Sequence, residues 1–346
     1  MPHILEDLQE QTFNAFEAIL VNDGDNSQTE AMEAIAAQDN RIRIVHRQEN
    51  GGVAAARNSG TDNVTSLWVV YPDPDDRFGP NYVKSLYEAV DGTGVEMACG
   101  GYRLFEAETK EEKIINIDAK LPVECVDIIL GYERMYSSNT QHFAWNKLYN
   151  IELIHKYGLR QNTDFYNRQD QRFNLSYFPF VKRVGLVNNC DYVYHYYKNG
   201  LSNSTKYNPR FMTNMQEIIN LRFQLRRQFG WSEQRVEDTK RDELILAIRN
   251  MFMNLYFSNS RLTIGEATAK LQADLFDQPE IVAVIKKANI KRNRTLHLIK
   301  ILTYIGSARF TAVIFNLISI LKKCLDNLQK NTFVIKKIIH LRNEKI

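Results

Sequence analysis

A chain of 346 residues with 44% hydrophobic and 25% charged residues has room for more than one domain of ~100–200 residues, and its composition excludes a largely disordered protein. The net charge of +3 conceals an asymmetry: residues 286–346 hold 14 Lys and Arg against Asp326 and Glu344, or +12, which leaves −9 for everything before them. Four cysteines (Cys99, Cys125, Cys190 and Cys324) stand far apart with no CxxC pair, which argues against a zinc site or a disulfide framework and suits a reducing compartment.

The opening "MPHILEDLQEQTF" has no basic region followed by an apolar core, so it does not read as a secretion signal. Strand and helix then alternate. "FEAILVND" (Phe16 to Asp23) reads as a strand ending in turn residues. "SQTEAMEAIAAQ" (Ser27 to Gln38) reads as a helix opened by an N-cap serine, with Glu30 three places on. "RIRIVHR" (Arg41 to Arg47) is a second strand, and "GGVAAARNSGTDN" (Gly51 to Asn63) a small-residue helix that Gly60 is expected to end. "LWVVY" (Leu67 to Tyr71) is a third strand. "PNYVKSLYEAV" (Pro80 to Val90) is a helix with proline at its first position, and "VEMACGGYRLF" (Val95 to Phe105) is a strand again. Beyond Phe105 the pattern is mixed, with a short strand in "CDYVYHYY" (Cys190 to Tyr197), and from about Pro209 it turns helical. This order predicts an α/β fold with a Rossmann-like, mostly parallel sheet covered by helices on both faces, followed by a helical, basic C-terminal region. The expected domains are 1–205 and 206–346.

"LWVVYPDPDDRF" (Leu67 to Phe78) sets three carboxylates where the chain must turn. In an extended chain Asp73 and Asp75 would lie on one face roughly 6 to 7 Å apart. At an effective dielectric of ~20 they would repel by about 2 to 3 kcal/mol. The stretch is therefore a solvated turn or a place prepared for a cation. In parallel α/β sheets ligands collect beyond the carboxyl ends of the strands, and both acidic turns, at Asp23 and at Asp73, have that address.

In this order "QTFNAFEAILVNDGD", "NGGVAAARNSG", "DPDD", "WNKLY" and "RQDQRFNLSYF" resemble the family 2 glycosyltransferases, inverting enzymes with the A-type nucleotide-diphospho-sugar fold. The resemblance covers roughly Leu5 to Ser204. It implies that Asp23 contacts the base or ribose of a nucleotide, where the residues alone equally allow an Asx turn. It implies that Arg57 faces the nucleotide, where a solvated helix arginine is the ordinary alternative. Asp73 and Asp75 correspond to the family's DxD element, which holds a divalent ion, Mg2+ or Mn2+, on the donor diphosphate. Asp76 is expected to support or cap that turn.

By the same resemblance Asp170 is the base that takes the acceptor hydroxyl's proton. Gln169 stands where the family usually has an acidic neighbour. The plain alternative for Asp170 is a helix N-terminal aspartate favoured by the dipole. Trp145 and Lys147 of "AWNKLY" are expected on the acceptor or diphosphate side, with a core position the alternative for Trp145. His195 is left outside the metal set. The implied function is sugar transfer from a nucleotide-diphosphate sugar, a UDP-sugar foremost, to a glycan or lipid-linked acceptor with inversion, in cell-surface polysaccharide synthesis. A nucleotidyltransferase would show a glycine-rich basic phosphate loop, and none is seen.

Two further expectations concern the ends. Members of the family begin with an apolar strand ahead of the first helix, and this sequence starts inside that helix. A non-catalytic module of the same fold is therefore the alternative function. The basic tail interleaves apolar helical stretches with Lys and Arg, which suggests peripheral contact with the inner face of the membrane from a cytoplasmic location. Nucleic acid is not expected as a partner, for want of stacking aromatics or a known motif. The stretch from Ile301 to Leu321 is interrupted by Arg309 and Asn316 and falls short of a spanning helix.

Overall fold

The protein is described from a computed structural model, over residues 2–165, 167–188, 190–197, 207–256, 262–290 and 293–322. It divides into two compact units, residues 1–204 with 220–233, and residues 205–219 with 234–346.

The first unit is a mixed α/β structure. It opens with α1 (Pro2–Gln9), β1 (Ala18–Asn22), α2 (Thr29–Ala36), β2 (Ile42–His46), α3 (Gly52–Asp62) and β3 (Trp68–Val69). Next come β4 (Arg77–Phe78), α4 (Tyr82–Glu88), β5 (Met97–Gly100), β6 (Tyr102–Glu106), β7 (Glu111–Ile115) and β8 (Val123–Asp127). α5 (Ile128–Ser137), β9 (Lys147–Asn150), α6 (Ile151–Lys156), α7 (Gln169–Tyr177), β10 (Arg183–Val187) and β11 (Tyr192–Tyr196) complete it.

The strands form three sheets: β1-β2, β3-β9-β5-β10-β8, and β4-β11-β6-β7. The pairs β1·β2, β5·β10 and β6·β11 are parallel, and the other five are antiparallel. The α/β architecture holds, with more antiparallel pairing than strand-helix alternation suggests, because β8 and β9 enter the central sheet from the mixed region after Phe105. Among the described residues β1 pairs only with β2 and β3 only with β9, so no strand links the two-stranded piece to the central sheet.

Local chemistry explains where elements begin and end. The helical stretch after β1 is capped by Asp25, whose Oδ1 accepts Ser27 N–H at 3.0 Å; the expected cap, Ser27, lies two residues later, inside the stretch. α3 runs through Gly60 and stops at Asn63. Gly60 instead packs its bare Cα near Val21. α4 starts after Asn81, so Pro80 precedes the helix. The single strand expected over Val95 to Phe105 is two, β5 and β6, in different sheets. The change of sheet occurs at Gly101, where a Cβ would lie 2.4 Å from the carbonyls of Asn188 and Ile115; only glycine fits that approach.

The core of this unit joins Ile4 and Leu8 of α1, Ile35 of α2, Tyr82, Leu86 and Ala89 of α4, Ala98 of β5, Trp145, Leu148 and Tyr192. Cys99, Cys125 and Cys190 are free thiols.

The second unit is helical. α8 (Phe211–Gln228) contributes its first turns, followed by α9 (Glu233–Tyr256), α10 (Ile264–Leu271), α11 (Pro279–Lys287), α12 (Arg294–Ile305) and α13 (308–322). Thr263 and Glu266 form a reciprocal capping box at the start of α10. Phe252 and Tyr256 pack on Phe315 at 4.4 and 5.4 Å. Among the described residues no helix is long and apolar enough to cross a membrane. Residues 323–346, the last 24 of the basic tail with Cys324 among them, lie outside the described residues.

Candidate active site

The acidic turn forms as soon as β3 ends. Asp76 N–H donates to Asp73 O at 3.2 Å, which makes Asp73-Pro74-Asp75-Asp76 a four-residue turn with proline at its second position, where a fixed φ suits it. Carboxylate oxygens of Asp73, Asp75 and Asp76 lie within 4.8 Å of one another. Their surroundings differ. Asp75 is exposed. Asp76 is buried: its Oδ2 accepts Tyr192 O–H at 2.7 Å and its Oδ1 accepts His195 N–H at 2.8 Å. Tyr192 also accepts Asp73 N–H at 3.1 Å, so one phenol braces both ends of the turn.

Asp73 faces Arg57 of α3. The guanidinium Nη2 donates to Asp73 Oδ1 at 2.6 Å, and Nη1 donates to Asp170 Oδ1. Arg57 is only 10% exposed. Burial works against its cation, but Asp170 and Asp73 outweigh burial and raise its pKa, so the charge is retained. Asp73 is pushed up to about 6, chiefly by burial, with Asp170 and Asp75 adding and Arg57 opposing. Asp76 is pushed up to about 7 by burial, against the bonds from His195 and Tyr192. Burial lowers the pKa of His195. Its Nδ1 lies 3.8 Å from Asp76 Oδ1, and with both groups driven toward neutrality this is a weak contact.

Asp170 is in the first turn of α7, and its Oδ2 accepts Ala144 N–H at 3.0 Å. Arg168, just ahead of the helix, has a left-handed backbone (φ 66°), an uncommon conformation for a side chain of this size. α3 is tied to the loop before α7 by a reciprocal pair: Asn58 donates to Gln161 O and accepts Gln161 N–H, both at 2.9 Å. Beside Ala144, His142 is pushed down to about 3, first by burial and then by Arg222, Arg168 and Lys147, and its Nδ1 has no hydrogen-bond partner among the described residues.

Asp23 is neither an Asx turn nor free. Its carboxylate accepts Arg47 Nε–H at 2.7 Å, Gly52 N–H at 2.7 Å and Gly51 N–H at 3.1 Å. It thereby pins the end of β1 to the start of α3, the helix that carries Arg57. The neighbouring Gly24 (φ 76°) lets Asn50 N come within 2.6 Å of where a Cβ would stand. An open groove of about 580 Å³ lies beside Arg47, between residues 45–49 and Ser59, Asp62 and Asn63. None of the three turn carboxylates lines it.

The structure buries Trp145 and Lys147, which the sequence places on the acceptor or diphosphate side. Trp145 is 1% exposed and stacks on Tyr192 at 4.3 Å and Phe143 at 4.6 Å. Lys147 is fully buried and donates to Thr140 O at 2.8 Å, Phe143 O at 2.6 Å and Asn146 Oδ1 at 2.9 Å. All three ammonium protons are thus committed, and neither side chain has a surface to offer a ligand. Trp145 takes the core alternative, and Lys147 braces the 140–147 turn. Tyr192 is one of several tyrosines in "CDYVYHYY", and nothing local marks it out; its register opposite Phe78 brings its hydroxyl to Asp76.

These residues suit a divalent ion. The turn offers only hard carboxylate oxygens, the donor type Mg2+ and Mn2+ prefer, and Asp75 leaves its carboxylate accessible.

Residues 1–151 match the family "Glycosyl transferase family 2". Over 227 residues the chain is 25% identical to the uncharacterized glycosyltransferase EpsJ of Bacillus subtilis, covering 65% of each. It is 24% identical over 192 residues to a teichoic acid poly(glycerol phosphate) polymerase of Staphylococcus epidermidis, covering 55% of this chain and 26% of that one. The chain thus spans less than two thirds of the curated relatives it matches. The crystal structure of S. aureus TarS 1–349 in complex with UDP-GlcNAc aligns with a TM-score of 0.58 and 16% identity, over 90% of this chain and 84% of that one. Residues 1–151 thus resemble the family 2 glycosyltransferases, and the chain has an A-type glycosyltransferase fold.

Proposed function

We propose that this chain transfers a sugar from a nucleotide-diphosphate sugar, most simply a UDP-sugar, to a glycan or lipid-linked acceptor with inversion at the anomeric carbon, in cell-surface polysaccharide synthesis. One observation carries the reading: Arg57 draws Asp73 of the acidic turn and Asp170 of α7 onto a single buried guanidinium. A transferase needs a phosphate-facing acidic turn and a carboxylate base within reach of one sugar, and this bridge brings the two together. The relatives are consistent with the substrate class, since one is named as a teichoic acid polymerase and TarS was crystallised with UDP-GlcNAc.

In this reading Asp73 and Asp75 hold Mg2+ or Mn2+. When bound, the ion offsets the charge that develops on the departing diphosphate. Asp76 keeps the turn in shape through Tyr192 and His195 and stays out of the ligand set. Arg57 holds Asp170 at a fixed angle. Asp170 accepts the acceptor hydroxyl's proton as that oxygen attacks the anomeric carbon, while the carbon-oxygen bond to the diphosphate breaks on the opposite face and its electron pair leaves with the diphosphate. A carboxylate has about four lone-pair sites; Arg57 and Ala144 use two, so capacity remains for the proton. Asp23 acts at one remove, by fixing the start of α3, and a direct contact with the nucleotide would require it to give up one of its present bonds. A location at the cytoplasmic membrane face follows from a lipid-linked acceptor.

A second reading, a non-catalytic module of this fold, is favoured by the break between β1 and β3: among the described residues no continuous strand ladder joins them. Purified protein mixed with Mn2+ and a panel of nucleotide sugars separates the two. Release of nucleotide diphosphate by the native chain, and its loss in Asp75→Ala and Asp170→Ala, supports transfer. Equal release from all three proteins, or none from any, removes it.

A further inference from the structure

The last two described helices are apolar on two sides. In α12, Ile299 and Leu302 are buried, yet Ile301, Tyr304 and Ile305 are 50, 61 and 54% exposed. In α13, Ala308, Ala312 and Phe315 are buried, yet Phe310, Leu317, Ile320 and Leu321 are 46, 53, 50 and 62% exposed. Positions 310, 317 and 321 recur at helical spacing, so they form a stripe. A surface helix ordinarily turns polar residues to water on the face away from its core. Exposed apolar side chains repeated on two successive helices are the pattern of an interaction surface.

The charge around this surface indicates its partner. From Lys286 to Lys322 the sequence has eight Lys and Arg and no Asp or Glu. Lys286 stands over the Tyr304 ring at 5.3 Å, and Tyr304 donates to Lys286 O at 3.2 Å, which sets a cation on the border of the apolar stripe. Arg309 and Lys322 are exposed at the two ends of α13. Pairing this face with a second copy would bring two stretches rich in Lys and Arg and lacking Asp and Glu together. A nucleic acid would satisfy the charge but leave the aliphatic stripe in water. An anionic lipid surface satisfies both, taking the apolar side chains among its acyl chains and the cations among its headgroups, with a tyrosine at the boundary.

We propose that the exposed face of α12 and α13 seats the protein on an anionic membrane surface. This deepens the membrane location offered above and is independent of sugar transfer.

The full chain, without nucleotide sugar, is sedimented with vesicles of phosphatidylcholine alone and of phosphatidylcholine with 30% phosphatidylglycerol. The expected result is at least about tenfold tighter binding to the anionic vesicles. Ile305→Glu with Leu321→Glu should reduce that binding by tenfold or more, and Arg309→Gln with Lys322→Gln by about three- to tenfold; both variants change exposed residues and should keep the native thermal transition. Anionic vesicles that bind all three proteins equally, or none of them, would overturn the proposal. So would a dimer in light scattering that Ile305→Glu with Leu321→Glu dissolves, or RNA binding that outcompetes the vesicles. Because no donor is present, failure of transferase activity leaves this test untouched.

Discussion

Asp73 and Asp170 share one guanidinium. Arg57 reaches Asp73 with Nη2 at 2.6 Å and Asp170 with Nη1, so a residue of the acidic turn and a residue of α7 are positioned by the same side chain. Removing a buried member of such a network leaves its partners uncompensated, at a cost of about 3–5 kcal/mol. Arg57→Ala should therefore lower nucleotide diphosphate release by about 100-fold or more. Arg57→Lys should restore little, because one ammonium lacks the planar fork that spans two carboxylates. The check is the rate of diphosphate release for the three proteins at saturating donor.

Asp75 should separate activity from stability. It is exposed, so Asp75→Ala should shift stability by less than about 0.5 kcal/mol. Release of nucleotide diphosphate should nonetheless fall by about 100-fold, and a chelator should do the same to the native protein, with recovery on adding Mn2+. Thermal melts run beside the release assay test both halves.

Lys147 should behave in the opposite way. Its ammonium satisfies Thr140 O, Phe143 O and Asn146 Oδ1 inside the core, and burial lowers its pKa. Lys147→Met removes the donor to Asn146 Oδ1 and one of two donors to each of Thr140 O and Phe143 O, which Asn146 and Asn174 also reach, and should cost about 1–3 kcal/mol by the usual penalties for buried unsatisfied groups. Urea unfolding measures this. The KM for the donor should stay near the native value, whereas a residue that touches the diphosphate would raise it.

His142 predicts an acid limit to stability. Its folded pKa of about 3 lies below the ~6.5 of an unfolded histidine. The unfolded chain therefore takes up the proton first, and the stability from keeping this ring neutral is present above pH 6.5 and lost as pH falls toward 3. Between those limits the native protein should lose up to about 1.4 kcal/mol per pH unit more than His142→Asn. Urea midpoints at pH 7, 5.5 and 4.5 for both proteins would show the difference, and parallel curves would contradict it.

Much of the first unit was legible in the sequence because its signals are local. β1, β2 and α3 fall where alternation and small-residue periodicity place them, and "DPDD" announces a turn by proline and a charge problem by its aspartates. What escaped depends on tertiary partners. No pattern within "AAARN" shows that Arg57 bridges two distant carboxylates. Family resemblance makes "AWNKLY" a ligand-facing segment, but stacking by Tyr192 and three nearby acceptors turn both residues inward. Gly100-Gly101 was a readable hint that Val95 to Phe105 changes sheet, since a glycine within a strand marks a bend or a close backbone approach. The burial of Asp76 was not readable, because its partners Tyr192 and His195 lie on β11, more than a hundred residues later.

The central claim is that the acidic turn binds a diphosphate through a divalent ion. Isothermal calorimetry of UDP into the full chain tests it most directly. The expected result is heat of binding with Mn2+ present, loss of at least about tenfold in affinity when Mn2+ is chelated, and a similar loss in Asp75→Ala. UDP uptake that is the same with and without Mn2+, or the same in Asp75→Ala, would contradict it.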